Sequence, residues 1–321
     1  MTPTRSARRL VPVAVAVALV ALLAACQPAT PATPNGSLPV DHTLVAAVAA
    51  AAKDPRGAPP GANDWTCKPS KAHPRPVILV HGLLATMTTN FNSLSPVIKN
   101  AGYCVYALTY GAGLGDPYVG GLAPMEQSAQ ELKAFVAKVR ASTKASKVDL
   151  VGHSEGTVMP QYYLKFLGGA ASVANYVALT PLYDGTTLAG VSSAVAIGQA
   201  LAPPVAGLGT SLVGAGCGSC AEFLQGSPFM KQLDQGGAGA PSVRYTNVMT
   251  RYDELVLPYT SGEMNSPNAT NIVLQDDCPL DLSEHLTVAF NPRVDRIVLN
   301  ALDPAHAQPV PCVPVVPVLG G

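Results

Sequence analysis

The sequence GHSEG at residues 152–156 constrains this chain more than any other feature. It directly follows the Val/Leu-rich segment 147–151 (KVDLV) and precedes a stretch with helical composition at 155–168. A serine at such a junction sits on a tight, strained turn, and side chains in place of the flanking glycines would clash with adjacent backbone. The pattern therefore predicts a strand-turn-helix unit that presents Ser154 as a candidate nucleophile, whereas a loop serine that matches by chance would lack this setting.

Short apolar segments rich in β-branched residues recur along the chain and alternate with stretches of helical spacing. We predict strands at 76–80, 103–108, 147–151, 174–179 and 243–249. We predict helices at about 41–53, 91–101, 124–142 and 155–168. Strands that alternate with helices indicate an α/β fold with a mostly parallel sheet flanked by helices.

The segment 185–240 interrupts this alternation. It is rich in Gly, Ala, Ser and Pro and contains apolar helical stretches around 189–202 and 221–233. Two interpretations stay open: a helical cap or lid insertion, or a long crossover connection that contains helices.

The N-terminus predicts export. Three arginines within residues 5–9 precede the apolar stretch 10–25, which is too short to span a membrane comfortably. The stretch ends in Leu-Ala-Ala before Cys26, which resembles the lipid-attachment site of bacterial lipoproteins. We therefore expect a signal peptide at 1–25 and a lipidated Cys26 that anchors an exported protein to a membrane, the alternative being an ordinary signal peptide cut near Ala25.

The rest of the chain divides into two parts. Residues 26–63 contain the Pro/Ala/Thr-rich stretch 27–40, which is typical of a flexible tether, and a short Ala-rich helix. The globular domain is predicted at 64–321.

The charge pattern limits the choice of partners. Charged residues make up 12% of the chain, the net charge is +0, and no basic block follows the N-terminus. Nucleic-acid binding therefore has no electrostatic support. We expect a monomer that requires no cofactor and no metal.

Seven cysteines agree with export. Without Cys26 six remain, and an even count in an exported chain indicates three disulfides among 15 possible pairings. We predict the pairs Cys67–Cys104, Cys217–Cys220 and Cys278–Cys312. The spacing at 217–220 (CGSC) also occurs in redox and zinc sites, but no thioredoxin-like context or second cysteine pair accompanies it.

Candidate oxyanion donors lie after the first predicted strand. The sequence His81-Gly82-Leu83 follows 76–80, and a His-Gly loop at this position lets the chain turn close to a nucleophile. We assign the donors to the backbone N–H groups of Leu83 and Glu155. His81 and His153 each flank a glycine turn, so we interpret them as structural hydrogen-bonding residues rather than bases.

The remaining members of a catalytic triad are expected in the order Ser, acid, His. Asp253 follows the strand 243–249 and is the predicted acid, with Glu254 as its nearest rival. His285 lies 32 residues further on at the start of an apolar helical stretch and is the predicted base, because His306 lies in a Pro-rich tail. Other acids follow Asp253 but adjoin loops or a cysteine: Asp276, Asp277 and Asp281.

Several segments resemble the class 2 lipases and esterases that bacteria secrete, particularly those of actinobacteria. They are VILVHGLLATMTTNF, YCVYALTYG, KVDLVGHSEGTVMPQYYLKF, TRYDELVLPYTSG and SEHLTVAFNP, within about residues 65–315. More distantly they resemble the small Bacillus lipase and the yeast lipase B. The resemblance implies an α/β-hydrolase fold and hydrolysis of carboxylic esters by Ser154, Asp253 and His285. Glu155 departs from the Met or Gln that is frequent after the nucleophile. A charge at this position weakens the expectation that the enzyme prefers esters with long acyl chains.

Three functions are therefore weighed. The first is a lipase or esterase acting on acylglycerols or similar apolar esters. The second is an acyltransferase of the cell envelope that uses the same triad, and the third is a non-catalytic binding lipoprotein. The complete set of Ser, Asp, His and His-Gly loop argues against the third, because a decayed enzyme is expected to lose one of them.

Overall fold

A six-stranded parallel sheet forms the centre of the structure, a computed structural model that describes residues 36–112, 118–187, 189–190, 192–193, 216–237, 239–318 and 320. The strands are β1 (Val77–Val80), β2 (Val105–Leu108), β3 (Val148–His153), β4 (Val173–Leu179), β5 (Arg244–Met249) and β6 (Ala269–Val273). Their order across the sheet is β2-β1-β3-β4-β5-β6, and every neighbouring pair is parallel. All five predicted strands are present, and the predicted parallel sheet flanked by helices is confirmed.

Strand β6 has no counterpart among the predicted strands. It lies at the edge of the sheet, and all five of its residues, ATNIV, are at least partly exposed. An edge strand of this composition lacks the continuous apolar run by which a buried parallel strand is recognised.

Helices cover both faces of the sheet. They are α1 (Leu44–Lys53), α2 (Met87–Phe91), α3 (Leu94–Asn100), α4 (Met125–Thr143), α5 (Glu155–Phe166), α6 (Pro228–Asp234), α7 (Leu274–Asp277) and α8 (Pro292–Leu302). Alternate residues of β1 enter different cores: Ile78 packs with α4 and α5, and Val77 packs with α3 and α8. This period of two explains why the buried strands are apolar on both faces.

Two predicted helices have different bounds in the structure. The stretch 91–101 is two helices, α2 and α3, and α2 starts earlier because Thr86 and Thr89 form a capping box. The stretch 221–233 becomes helical only at Pro228, where the Ser227 side chain accepts the N–H of Met230.

The segment between β4 and β5 connects two neighbouring parallel strands. Its described part contains the loop closed by Cys217–Cys220 and helix α6. Most of the predicted helix 189–202 lies outside the described residues.

Residues that precede 64, the predicted start of the globular domain, also pack on it. Leu38–Gly321 forms one compact unit. Leu44 and Ala47 of α1 pack on Ala289 and Phe290, and the N–H of Asn63 donates to the carbonyl of Val105 at 2.9 Å. The Ala-rich helix therefore belongs to the fold, whereas the predicted signal peptide, Cys26 and most of the tether lie outside the described residues.

Three disulfides join the predicted partners, Cys67–Cys104, Cys217–Cys220 and Cys278–Cys312. Disulfides persist in oxidising compartments, so the chain has the cross-links of an extracellular protein. In the part of the chain that the structure describes, no helix combines the length and apolar character that crossing a membrane requires.

Candidate active site

Ser154 lies on the turn between β3 and α5 with φ 55° and ψ −121°, a backbone conformation that residues other than glycine rarely adopt. The flanking glycines make this turn possible. A Cβ atom on Gly152 would lie 1.9 Å from the carbonyl oxygen of Gly156, and one on Gly156 would lie 2.0 Å from that of Val80. The turn raises a half-buried Ser154 above the carboxyl end of the sheet.

The loop after β1 passes directly beside Ser154. A Cβ atom on Gly82 would lie 3.0 Å from Cβ of Ser154 and 3.3 Å from the carbonyl oxygen of His153. The N–H of Gly82 donates to Oδ1 of Asn90 at 2.8 Å. The N–H of Leu83 meets no acceptor among the described residues. The predicted donor loop therefore lies against Ser154, and the N–H group of Leu83 is available to bind an oxyanion.

Asp253 and His285 are paired. Nδ1 of His285 lies 2.9 Å from Oδ1 and 3.0 Å from Oδ2 of Asp253, and both side chains are buried. Oδ1 of Asp253 also accepts the N–H groups of Leu255 and Val256. Glu254, the rival acid, contacts the backbone N–H of His285 at 3.3 Å rather than its ring. The ring therefore pairs with Asp253.

The pKa of His285 reflects two opposed effects. Burial alone would lower it, but the charge of Asp253 and the hydrogen bond to it raise the pKa above the ordinary value of 6.5, with Glu254 and Glu284 adding to the rise. A carboxylate that holds Nδ1–H and favours the imidazolium is the arrangement that a general base requires.

His153, the residue before Ser154, contacts His285 directly. Its Nε2 lies 2.9 Å from the carbonyl oxygen of His285, and the two rings are 5.1 Å apart. Because a carbonyl can only accept, Nε2–H is the donor. The serine turn and the histidine loop are thus joined one residue from Ser154.

His81 and His153 lie in the structural roles that the sequence predicted. Burial lowers the pKa of His81 to about 4 and, together with the charge of His285, lowers that of His153 to about 3. The Nδ1 atom of His81 lies 2.7 Å from the carbonyl of Gly82. Both rings are neutral near pH 7.

Two residues that the sequence did not single out support this loop. Asn90 in α2 holds Gly82, and its Oδ1 also lies 3.1 Å from Nδ1 of His153. Tyr110, after β2, donates its hydroxyl proton to the carbonyl of His81 at 2.7 Å. Neither belongs to a motif whose spacing would reveal it, because both contacts depend on how the elements pack.

Three other candidate side chains bond residues other than Ser154, Asp253 and His285. Asp281 is buried and bonds Ser283 and Asn291. Asp276 pairs with Arg251, and His306 pairs with Asp303 on the surface. Among the described residues, no group of three or more His, Cys, Asp or Glu side chains is arranged to hold a metal ion.

Residues 74–297 match the family described as lipase (class 2). The chain belongs to this family. The predicted family is confirmed.

Solved lipase structures were compared with this chain, and one of them shares its fold. Lipase B of Aspergillus fumigatus is 19% identical, with a TM-score of 0.61 over 89% of this class 2 lipase chain and 63% of that protein. The chain thus spans less than two thirds of the length of the Aspergillus fumigatus protein. A mature lipase of Bacillus licheniformis is 17% identical, with a TM-score of 0.46 over 64% of this chain and 85% of that one. The first comparison agrees with an α/β-hydrolase fold.

Proposed function

We propose that this class 2 lipase hydrolyses acylglycerols or similar apolar esters through an acyl-enzyme on Ser154. One arrangement carries the proposal. Ser154 lies on a strained turn beside the loop of Leu83. The preceding residue, His153, contacts His285, and the ring of His285 is paired with Asp253. Nucleophile, base, orienting acid and oxyanion donors are the parts that acyl transfer needs.

The reaction follows in two halves. His285 takes the hydroxyl proton of Ser154 as the serine oxygen bonds to the ester carbonyl carbon, and Asp253 stabilises the resulting imidazolium. The N–H groups of Leu83 and Glu155 bind the oxyanion, each contributing about 3–4 kcal/mol. The C–O bond then breaks, and the alcohol leaves with the proton from His285. Water attacks the acyl-enzyme by the same route and releases the acid.

The test is hydrolysis of p-nitrophenyl esters with acyl chains from about C2 to C16. Ser154→Ala should lower kcat/KM by about a millionfold and keep the fold, as judged by circular dichroism. Activity retained in Ser154→Ala would refute the nucleophile assignment. Adding an alcohol to the wild-type reaction separates hydrolysis from transfer, because an acyltransferase would form the new ester in preference to the free acid.

We also propose export, with lipid attachment at Cys26 and a monomeric enzyme at the cell surface. The basic and apolar segments before Cys26 and the three disulfides support this proposal. Mass spectrometry of the N-terminal peptide tests it: an acylated Cys26 supports the anchor, and an unmodified N-terminus after Ala25 contradicts it. Size-exclusion chromatography tests the monomer.

A further inference from the structure

The side chain of Glu155 lies inside the protein although the proposed reaction uses only its backbone N–H. The residue is fully buried, and neither carboxyl oxygen has a hydrogen-bond partner among the described residues. An unpaired carboxylate at such a site would cost far more free energy than a neutral acid. The burial therefore selects the protonated form.

The carboxyl lies beside residues 120–121, which pack on the proposed donor loop of Leu83. A Cβ atom on Gly121 would lie 2.5 Å from Oε2 of Glu155 and 3.1 Å from Cα of Leu83. We call residues 120–121 the glycine strap. The strap is hydrogen-bonded to the Leu83 loop, with Leu84 N–H donating to Gly120 at 3.0 Å and Gly120 N–H donating to Ala85 at 2.9 Å. Glu155 thus fills the space next to the donor loop.

Among the described residues, the titratable groups that act on Glu155 are acidic. Tyr110 faces it from the segment after β2, and Glu222 faces it from the turn that follows Cys220, while Glu131 and Tyr176 act on Tyr110. The hydroxyl proton of Tyr110 is used on the carbonyl of His81, so this hydroxyl has no second proton with which to stabilise a carboxylate at Glu155. Burial and then the charge of Glu222 raise the pKa of Glu155 well above its ordinary value.

We propose that Glu155 is a positioning residue that, as a neutral acid, supports the oxyanion loop against the glycine strap, and that its ionisation inactivates the enzyme at alkaline pH. The inference rests on the proposed ester hydrolysis. An ionised Glu155 places a negative charge beside the N–H groups that must stabilise the oxyanion, so transition-state binding weakens. The buried charge also lacks a cation, so the loop has to move to solvate it.

Three variants and their pH profiles of kcat test this role between about pH 6 and 11, with Ser154→Ala as the blank for spontaneous hydrolysis. In the wild type, kcat should fall by about tenfold per pH unit above the pKa of Glu155. In Glu155→Gln that fall should be absent or move up by more than about one pH unit, judged against its own kcat near neutral pH. Glu222→Gln removes the charge that opposes ionisation, so its fall should begin at lower pH. Glu263→Gln, an exposed acid elsewhere, should follow the wild type.

The outcomes separate the role of Glu155 from the reaction itself. An unchanged alkaline fall in Glu155→Gln, or a wild-type kcat that is flat to about pH 11, overturns the inference while Ser154→Ala still tests the hydrolase. If Glu155→Gln fails to fold, Glu222→Gln decides: a fall at lower pH supports the inference, and an unchanged or later fall refutes it. Activity in Ser154→Ala would instead refute the proposed function.

Discussion

The Nε2 atom of His153 donates to the carbonyl oxygen of His285 across 2.9 Å, although 132 residues separate the two in sequence. This contact fixes the distance between the serine turn and the loop that carries the base. A neutral ring can serve in this position, since burial and the charge of His285 lower the pKa of His153 to about 3. We therefore interpret His153 as a residue that positions the proposed base His285, and not as a second base.

His153→Ala should lower kcat by about tenfold to a hundredfold and leave KM nearly unchanged, because it frees the His285 loop without removing a proton acceptor. It should also cost about 1–3 kcal/mol of unfolding free energy, since the carbonyl of His285 loses its buried donor. Steady-state kinetics on a p-nitrophenyl ester and urea denaturation measure both effects. His285→Ala is the matched control. An equal loss in the two variants would show that His153 itself handles the proton.

Asp253→Asn should lower kcat/KM by about ten-thousandfold, because the amide no longer holds the Nδ1–H tautomer of His285. The rise of kcat/KM on the acid side of its pH profile should also shift. In the wild type the charge of Asp253 raises the pKa of His285 above 6.5, so activity appears as that proton is lost above pH 6.5. Without the carboxylate, the effect of burial dominates and lowers the pKa of His285, so kcat/KM rises at a lower pH. The pH dependence of kcat/KM measures this shift.

Glu254→Gln is the control for that experiment. Its carboxylate contacts the backbone N–H of His285, so we expect a loss of less than about tenfold. A loss as large as that of Asp253→Asn would make Glu254 the orienting acid.

The sequence predicted those parts of the site that follow from local rules. Ser154 stands out as a candidate because the strand, the two glycines and the helix are adjacent in the chain, and Asp253 and His285 are candidates because their order after the serine is restricted. Asn90 and Tyr110 carry no such signal. Asn90 reaches His153 across 63 residues, and only the packing of α2 on the sheet brings them together.

The burial of Glu155 was equally outside the reach of a sequence pattern. An acidic side chain in the first turn of a helix is normally stabilised by the helix dipole and faces water. Here the glycine strap and Glu222 arrive from segments that lie far apart in sequence and enclose it.

Arg75→Ala should destabilise the fold with little effect on kcat. Nε of Arg75 lies 2.8 and 2.9 Å from the carboxylate oxygens of Asp149, which is fully buried at the sheet and also accepts the N–H of Asn175. Removing one partner of a buried pair costs about 3–5 kcal/mol, and a third of the Arg75 side chain is exposed, so we expect about 2 kcal/mol at neutral pH. Urea denaturation measures it.

The pH dependence of that loss identifies its origin. Burial raises the pKa of Asp149 and Arg75 opposes the rise, so the variant has a higher pKa. A raised carboxyl pKa removes stability as the pH rises above the unfolded value, so the loss should shrink toward about pH 5. Lys71→Ala, a nearby exposed cation, should change stability by less than about 0.5 kcal/mol. A loss that stays constant with pH would contradict an electrostatic cause.

We expect two of the three disulfides to contribute mainly to the free energy of unfolding and the third to contribute mainly to kcat. Cys67–Cys104 and Cys278–Cys312 close loops with separations of 37 and 34, so replacing either pair by alanine should cost about 4 kcal/mol, against about 2 kcal/mol for the separation of 3 in Cys217–Cys220. The short loop instead bonds the glycine strap and the residue after it, since Ser219 Oγ donates to Gly121 at 2.6 Å and Gly218 N–H donates to Leu122 at 2.7 Å. Its removal should therefore lower kcat more than the removal of either long-loop pair. Urea denaturation and ester kinetics on the three double variants measure the division, and a short-loop variant with wild-type kcat would contradict it.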